Sequence, residues 1–227
     1  MANEDFQYGI SIEKYTSSDT KVVIPAEIDG MPVTVIGDNA FENCREVTEI
    51  CLPDSLKKIG NMAFGYCSRL KEINLPDSVT EIGAYAFWYC GLLKKIRIPR
   101  RVKIIQECTF WCCDALEDVE IPDSVEIICN NAFNYCNLKE IYIPDSVGEI
   151  EKNAFDYCKY LERVHINTNQ WTEQELKEIF IGHTEIIPSQ KIETPPIEEE
   201  FQARWEEYKA KWWKENSSDS AVESTTK

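Results

Sequence analysis

Phenylalanine recurs along this chain at a nearly constant interval, which constrains the fold more than any other feature. It stands at positions 41, 64, 87, 110, 133 and 155, so the successive steps measure 23, 23, 23, 23 and 22 residues. A proline that follows a branched aliphatic residue keeps the same period, at positions 53, 76, 99, 122 and 144. A fixed period of roughly 20 to 50 residues is typical of solenoids, propellers and other arrays.

Each unit has a simple physical interpretation. The apolar–polar alternation of Ile96–Ile98 predicts a short strand with one buried face, and Pro99 ends it because proline lacks the N–H that a ladder needs. Ala86 and Phe87 predict a single helical turn. A unit of 22–23 residues cannot bury this many apolar groups alone, so neighbouring units must stack. We therefore predict an α/β repeat solenoid of about six units, each with a short strand, a turn and one helical turn.

The repeated string resembles a known family. The pattern [LI]P-D-S-V-x-x-I-x-x-x-A-F-x-x-C extends from Leu75 to Cys90, and again from Ile121 to Cys136 and from Ile143 to Cys158. It resembles the BspA-like leucine-rich repeat family, also called the Treponema-type repeat, over roughly residues 20 to 166. The resemblance implies a curved leucine-rich-repeat array with a sheet on its concave side. It also implies a binding module with no reaction attached, since some members are adhesins and many are surface or secreted proteins.

The period and the composition divide the chain into six parts. Thr172–Glu175 reads T-E-Q-E, which predicts a capping box at the start of a helix. The predicted parts are an N-terminal capping unit at 1–41, the solenoid at 42–166, a C-terminal capping helix at 167–181, a proline-containing linker at 182–196, an amphipathic aromatic helix at 197–215 and a disordered tail at 216–227.

The last predicted helix carries an apolar stripe at three- and four-residue steps. Isolated helices of this length are marginal in water, so the stripe needs a surface to cover it. That surface is the protein's own solenoid or another chain, with a membrane surface least favoured because the polar face is not strongly basic. Docking on another copy would make this a self-associating structural protein, the alternative to a monomer. The docking face consists of Phe201, Trp205, Tyr208 and Trp212, together with Ile197.

Charge and hydropathy exclude several classes of partner. Lys and Arg number 24 against 40 Asp and Glu, a net charge of −16, which argues against nucleic acid and anionic membranes. No run approaches the roughly 18 apolar residues of a transmembrane helix, so membrane insertion is not expected. The opening MANEDFQYGI has neither a basic n-region nor an apolar h-region, which favours a cytoplasmic protein. The alternative is a surface or secreted protein whose signal has been removed.

Ten cysteines suggest chemistry but are explained more simply. Six follow the repeat phenylalanine by three residues, at positions 44, 67, 90, 113, 136 and 158. A disulfide framework or metal site is one interpretation, and for Cys108, Cys112 and Cys113 a soft metal is another. With no C-x-x-C pair, a column of small buried thiols is favoured, and we expect no metal or cofactor. The two histidines lie in different regions, and no phosphate loop or nucleophile elbow occurs, so we expect no enzyme.

The strand phase predicts where a partner binds. Because Ile73 and Leu75 face inward, their neighbours on the strand face outward, and the same rule applies in every unit. We call the resulting set the sheet stripe and predict that it recognises a protein ligand. Alternatively, its charges only pair across strands. Trp88 and Trp111 form either an exposed hot spot or a local aromatic stack. The sheet stripe comprises Glu72, Asn74, Lys95, Arg97, Asp118, Glu120, Glu140, Tyr142, Arg163 and His165.

Overall fold

The computed structural model describes residues 9–180, 184–188 and 222–226, and it is a parallel β-solenoid of about eight turns. We refer to each turn of the solenoid as a rung. The elements are β1 (Ile10–Tyr15), β2 (Lys21–Val23), β3 (Glu27–Ile28), β4 (Met31–Ile36), β5 (Glu49–Cys51), β6 (Lys58–Ile59), β7 (Glu72–Asn74), β8 (Glu81–Ile82), β9 (Lys95–Arg97), β10 (Ile104–Ile105), β11 (Asp118–Glu120), β12 (Ile127–Ile128), β13 (Glu140–Tyr142), β14 (Glu149–Ile150), β15 (Arg163–Ile166), α1 (Glu173–Ile179), β16 (Glu185–Pro188) and β17 (Val222–Thr226).

Two rows of parallel strands run the length of the stack. The first row is the predicted strand of each unit, in the order β2, β5, β7, β9, β11, β13, β15 and β16; the second is β1, β4, β6, β8, β10, β12 and β14. Between the rows, the carbonyl of each repeat proline accepts the N–H of the residue three positions on, as Pro76 does from Val79 at 3.0 Å. The predicted repeat solenoid is confirmed, with a second, two-residue strand in the regular units.

The third side of each rung consists of the residues between a second-row strand and the next first-row strand, and we call it the turn strip. It does not form the predicted helical turn. Its N–H groups alternate in direction: that of Ala40 bonds to Gly37 within the rung, whereas that of Phe41 bonds to Ala63 in the next rung. A helical turn would aim every N–H within its own rung and leave the stack without these bonds. The alternation uses residues with φ of 53° to 62°: Asn39, Asn43, Met62, Tyr66, Tyr85, Tyr89, Cys108, Cys112, Asn131, Tyr135, Asn153 and Tyr157.

The core is a continuous file of aromatic rings, as the period predicts. Successive ring centroids lie 4.9 to 5.4 Å apart from end to end. The five central phenylalanines, at 41, 64, 87, 110 and 133, are fully buried. Like residues therefore contact like residues through the interior. The file consists of Tyr15, Phe41, Phe64, Phe87, Phe110, Phe133, Phe155 and Phe180.

The repeat cysteines form the predicted thiol column beside this file. The Cys90 thiol donates to the Phe64 carbonyl at 3.3 Å, and Cys67, Cys113, Cys136 and Cys158 bond one rung back in the same way, at 3.1 to 3.2 Å. The Phe64 carbonyl also accepts the N–H of Cys67, so both of its lone pairs are used. The bond explains why a thiol, rather than a purely apolar group, suits this position. All ten cysteines are free.

Both ends of the array are closed by segments outside the repeat. At the C-terminal end, Thr172 caps α1 in the predicted capping box, and Phe180 packs on Phe155 with centroids 5.2 Å apart. Residues 185–188, predicted as linker, instead form β16 beside β15. The exposed edge of β15 offers backbone groups that an added strand satisfies.

At the N-terminal end, β17 pairs antiparallel with β1, Val222 opposite Tyr15 and Thr226 opposite Ile10. The prediction of a disordered tail at 216–227 is therefore wrong for residues 222–226. A free strand edge accepts any backbone with the right geometry, so a polar segment with little apolar content still pairs. The predicted aromatic helix at 197–215 lies outside the described residues.

Candidate functional site

The first row of strands carries the sheet stripe in the predicted phase. Ile96, Val119 and Ile141 are buried at the middle of their strands, and the flanking residues point to the opposite face. The parallel register places stripe residues directly beside one another across rungs. The aligned pairs are Lys95 with Asp118, Arg97 with Glu120, Glu140 with Arg163, and Tyr142 with His165.

Asn74 departs from this pattern. It was predicted to be exposed but is only 5% exposed, and Cys51 beside it is 1% exposed. Arg97 in the next rung reaches back to Asp77, with Nη1 2.8 Å from Oδ1, which places its side chain beside the end of β7. Strand phase alone therefore does not predict which of the outward positions are covered.

Several stripe charges are paired across rungs. Lys95 Nζ lies 3.4 Å from Asp118 Oδ2. Arg163 donates from Nε and Nη2 to the two carboxylate oxygens of Glu140, at 3.0 and 3.2 Å. The predicted cross-strand pairing therefore occurs in the structure, and a partner would contact charges that are already oriented.

Glu140 is the centre of a small polar network. The hydrogen bonds from Arg163 and then His165 hold the pKa of Glu140 near 2, well below its usual value, against an opposing effect of partial burial. The ring of His165 stacks on that of Tyr142, with centroids 4.1 Å apart and planes 8° apart. Glu140 is thus a fixed negative charge at neutral pH, and Tyr142 is held by packing as well as by its backbone.

A shallow cavity of about 420 Å³ opens on this face, across the four neighbouring strands β9, β11, β13 and β15. We call it the stripe groove. Six of the predicted stripe residues line it, whereas Glu72, Asn74, Arg97 and His165 do not. The six are Lys95, Asp118, Glu120, Glu140, Tyr142 and Arg163.

Three further residues of the stripe groove were not predicted. Glu117 and Lys139 are exposed side chains one position before their strands, and Val119 is the inward residue of β11. Backbone pairing explains why these positions belong to the same face. The N–H of Glu117 bonds to the carbonyl of Lys94 in the preceding rung, so pairing between rungs begins one residue before β11. The inward–outward rule covers only residues within the strands, and it places Val119 on the buried face.

Sequence comparison assigns the fold to a family. The sequence model for the BspA type leucine rich repeat region matches residues 34–162 in six copies. The chain belongs to the BspA-type leucine-rich repeat family. The match covers the ring file from Phe41 to Phe155 and every residue of the stripe groove except Arg163, and it confirms the resemblance found in the sequence. A comparison with curated proteins finds no match.

Solved structures of similar leucine-rich repeat proteins come from bacteria. A leucine rich cell surface protein from Faecalibacterium prausnitzii is 32% identical, with a TM-score of 0.59 over 72% of this chain and 54% of its own. The chain thus spans about half the length of that relative. A leucine rich repeat protein from T. pallidum is 31% identical, with a TM-score of 0.54 over 73% of this chain and 71% of its own.

Other potential sites in this BspA-type chain are less developed. Among residues 9–180, 184–188 and 222–226, no group of three or more His, Cys, Asp or Glu side chains is arranged to hold a metal ion. Within that same part of the chain, no helix combines the length and apolar character needed to cross a bilayer. Trp88 and Trp111 stack with centroids 5.5 Å apart, as the local-stack interpretation predicts, and neither indole is fully exposed.

Proposed function

We propose that this chain is a non-catalytic protein-interaction module and that the stripe groove binds its partner. The groove itself is the observation that carries the proposal. It combines charges of both signs with the aromatic side chain of Tyr142 on one rigid surface. Such a mixture of an aromatic anchor and a polar surround is typical of protein–protein interfaces.

Rigidity supports the same proposal. The groove lies on strands stacked over fully buried phenylalanines, so its backbone has little freedom to lose on binding. Tyr142 is oriented by His165, and Arg163 by the carboxylate of Glu140. A partner therefore contacts side chains whose rotamers are already restricted, which lowers the entropic cost of association.

The compartment is a further part of this proposal. Ten free cysteines favour a reducing compartment such as the cytoplasm. The similarity to a protein described as a cell surface protein favours an adhesive role outside the cell. Labelling intact cells of the source organism with a membrane-impermeant biotin reagent distinguishes the two, since only a surface protein is labelled before lysis.

The binding proposal is tested by selecting peptides from a displayed random library on the full chain and measuring affinities by calorimetry. The groove variant is Lys95→Glu with Tyr142→Ala. Lys103→Glu is the matched control, because Lys103 forms an exposed ion pair with Glu126 outside the groove, at 2.6 Å. We expect the groove variant to weaken binding by roughly tenfold or more and the control to leave it unchanged.

Thermal melting of each variant separates loss of binding from loss of folding. Equal affinity for wild type and a folded groove variant would show that the groove is not the site. Failure of the folded wild type to select any peptide would overturn the interaction-module proposal itself.

A further inference from the structure

The turn strip carries an apolar surface that is separate from the stripe groove. Large hydrophobic side chains of the described residues are exposed at Tyr89, Leu92, Tyr135, Tyr157 and Tyr160, by 43, 43, 41, 59 and 60%. All five lie between a second-row strand and the next first-row strand. We call these five, with Tyr66, the tyrosine patch. Exposed aromatic side chains that recur along one side of a solenoid in this way indicate a contact site.

The tyrosines of this patch occupy an unfavourable backbone position. Tyr66, Tyr89, Tyr135 and Tyr157 have φ of 57° to 61°, a left-handed conformation that glycine and asparagine adopt more easily. Asn43 stands at the same position in the rung of Phe41. The rings stack in pairs, Tyr66 with Tyr89 at 5.3 Å and Tyr135 with Tyr157 at 4.4 Å. Backbone geometry alone does not call for tyrosine here, so the outer surface is the better explanation.

The ends of the described chain indicate what covers this patch. The chain leaves β16 at the C-terminal end of the stack and returns in β17 at the N-terminal end, so residues 189–221 connect the two. Val222, the first residue of β17, pairs with Tyr15. The N–H of Tyr15 bonds to Ala40 in the turn strip. Because β17 is antiparallel to β1, Val222, where the described strand begins, lies at the turn-strip end of β1.

Length and sequence pattern agree with this route. Seven centroid steps of 4.9 to 5.4 Å make the ring file roughly 37 Å long. The helix that the sequence predicts over residues 197–215 would be about 28 Å long. It is long enough to extend past the four steps from Tyr66 to Tyr157, and short flanking segments complete the span between the ends. Its predicted apolar stripe needs a surface to cover it.

We propose that residues 197–215 dock on the tyrosine patch of the same chain through Phe201, Trp205, Tyr208 and Trp212. The segment then joins the two ends of the solenoid along the turn strip. The stripe groove lies on another side of the rung and stays open, so this proposal is independent of the proposed function.

The experiment compares hydroxyl-radical labelling of individual tyrosines, measured by mass spectrometry, in the full chain. The test variant is Phe201→Ala/Trp205→Ala/Trp212→Ala. The matched control is Trp213→Ala, an aromatic truncation about 100° around the helix from Trp212. Because the stripe buries several aromatic side chains, we expect Tyr135 and Tyr157 to be labelled on the order of tenfold faster in the triple variant than in wild type. The control should match wild type.

A reciprocal variant, Tyr135→Ser/Tyr157→Ser, should increase the labelling of Trp205 and Trp212 by a similar factor. Light scattering after size exclusion measures the mass in each case. Protection in a monomer supports the proposal. Protection that appears only in a dimer shows that a second copy is the occupant and overturns it. Equal tyrosine labelling in wild type and the triple variant, with unchanged thermal melting, also overturns it.

Discussion

The middle of this solenoid and its two ends satisfy the same physical requirement by different means. In the middle, each phenylalanine contacts the same residue above and below, and each thiol bonds to the same carbonyl one rung back. At the ends, Tyr15 and Phe180 come from segments without the repeat, yet they continue the file of rings. The comparison teaches that the array needs a neighbour of the right shape at each end and not another copy of the repeat.

The largest expected difference between the two regions is in core truncation. We expect Phe87→Ala to lower the free energy of unfolding by about 3–5 kcal/mol, because Phe87 is fully buried between two rings. Phe180→Ala should cost less, since Phe180 packs on one ring of the file only. Urea unfolding measures both. Glu72→Ala is the outward control and should change stability by less than about 0.5 kcal/mol. Equal losses at Phe87 and Phe180 would contradict the comparison.

Thiol reactivity sharpens the comparison further. Burial raises the pKa of Cys90 well above its usual value and raises that of the half-buried Cys44 as well. Because the thiolate is the reactive form, Cys90 should react with maleimide on the order of a hundredfold more slowly than Cys44 in the native protein. Mass spectrometry of digested samples measures the two rates, and in urea they should become similar. Equal rates in the native protein would show that the thiol column around Cys90 opens together with the N-terminal rungs around Cys44.

The C-terminal cap tests whether an end acts locally. Thr172→Ala removes the side chain that accepts the N–H of Glu175 and should cost about 1 kcal/mol. Thr172→Ser keeps the acceptor and should be close to wild type. Hydrogen exchange should show faster exchange in α1 and little change in β7 and β9. A loss spread evenly over all rungs would show that the ends and the middle unfold together.

The smallest expected effect concerns pH and the stripe groove. At pH 7, Glu140→Gln should lower stability by about 0.5–1 kcal/mol, because it weakens a network on the protein surface. The pKa of Glu140 is lowered from 4.5 to about 2, so its contribution is complete above about pH 4.5 and is lost as the pH falls towards 2. The difference between wild type and variant, measured by urea unfolding, should shrink over that range. Glu126→Gln is the control, because Glu126 forms an exposed ion pair outside the groove. A stability difference between wild type and Glu140→Gln that does not change with pH would contradict the lowered pKa of Glu140.

Most of the middle could be predicted from the sequence, because one register repeated six times specifies the phase of every strand. That phase placed Lys95, Asp118 and Glu140 on one face, where they line the groove. It failed at Asn74, which the phase places on the outward face but which is only 5% exposed. Register tells which way a residue points, but not which neighbour covers it.

The turn strip and the ends were less predictable for different reasons. Tyrosine and cysteine in the left-handed region follow no local propensity, since the ladder between rungs imposes that conformation. The end segments occur once, so no repetition distinguishes β16 from a linker or β17 from a disordered tail. Long-range backbone pairing decides both, and it leaves little trace in side-chain pattern.

The return of β17 to the first rung ties the size of this protein to a single stretch of its chain. Duplication or deletion of a whole unit would leave the surroundings of nearly every other residue unchanged, as the seven similar ring spacings imply. Residues 189–221, however, would have to bridge roughly 5 Å more or less for each unit gained or lost. The length of this connection, and not the repeats, therefore limits how many units the solenoid can gain before β17 no longer reaches β1.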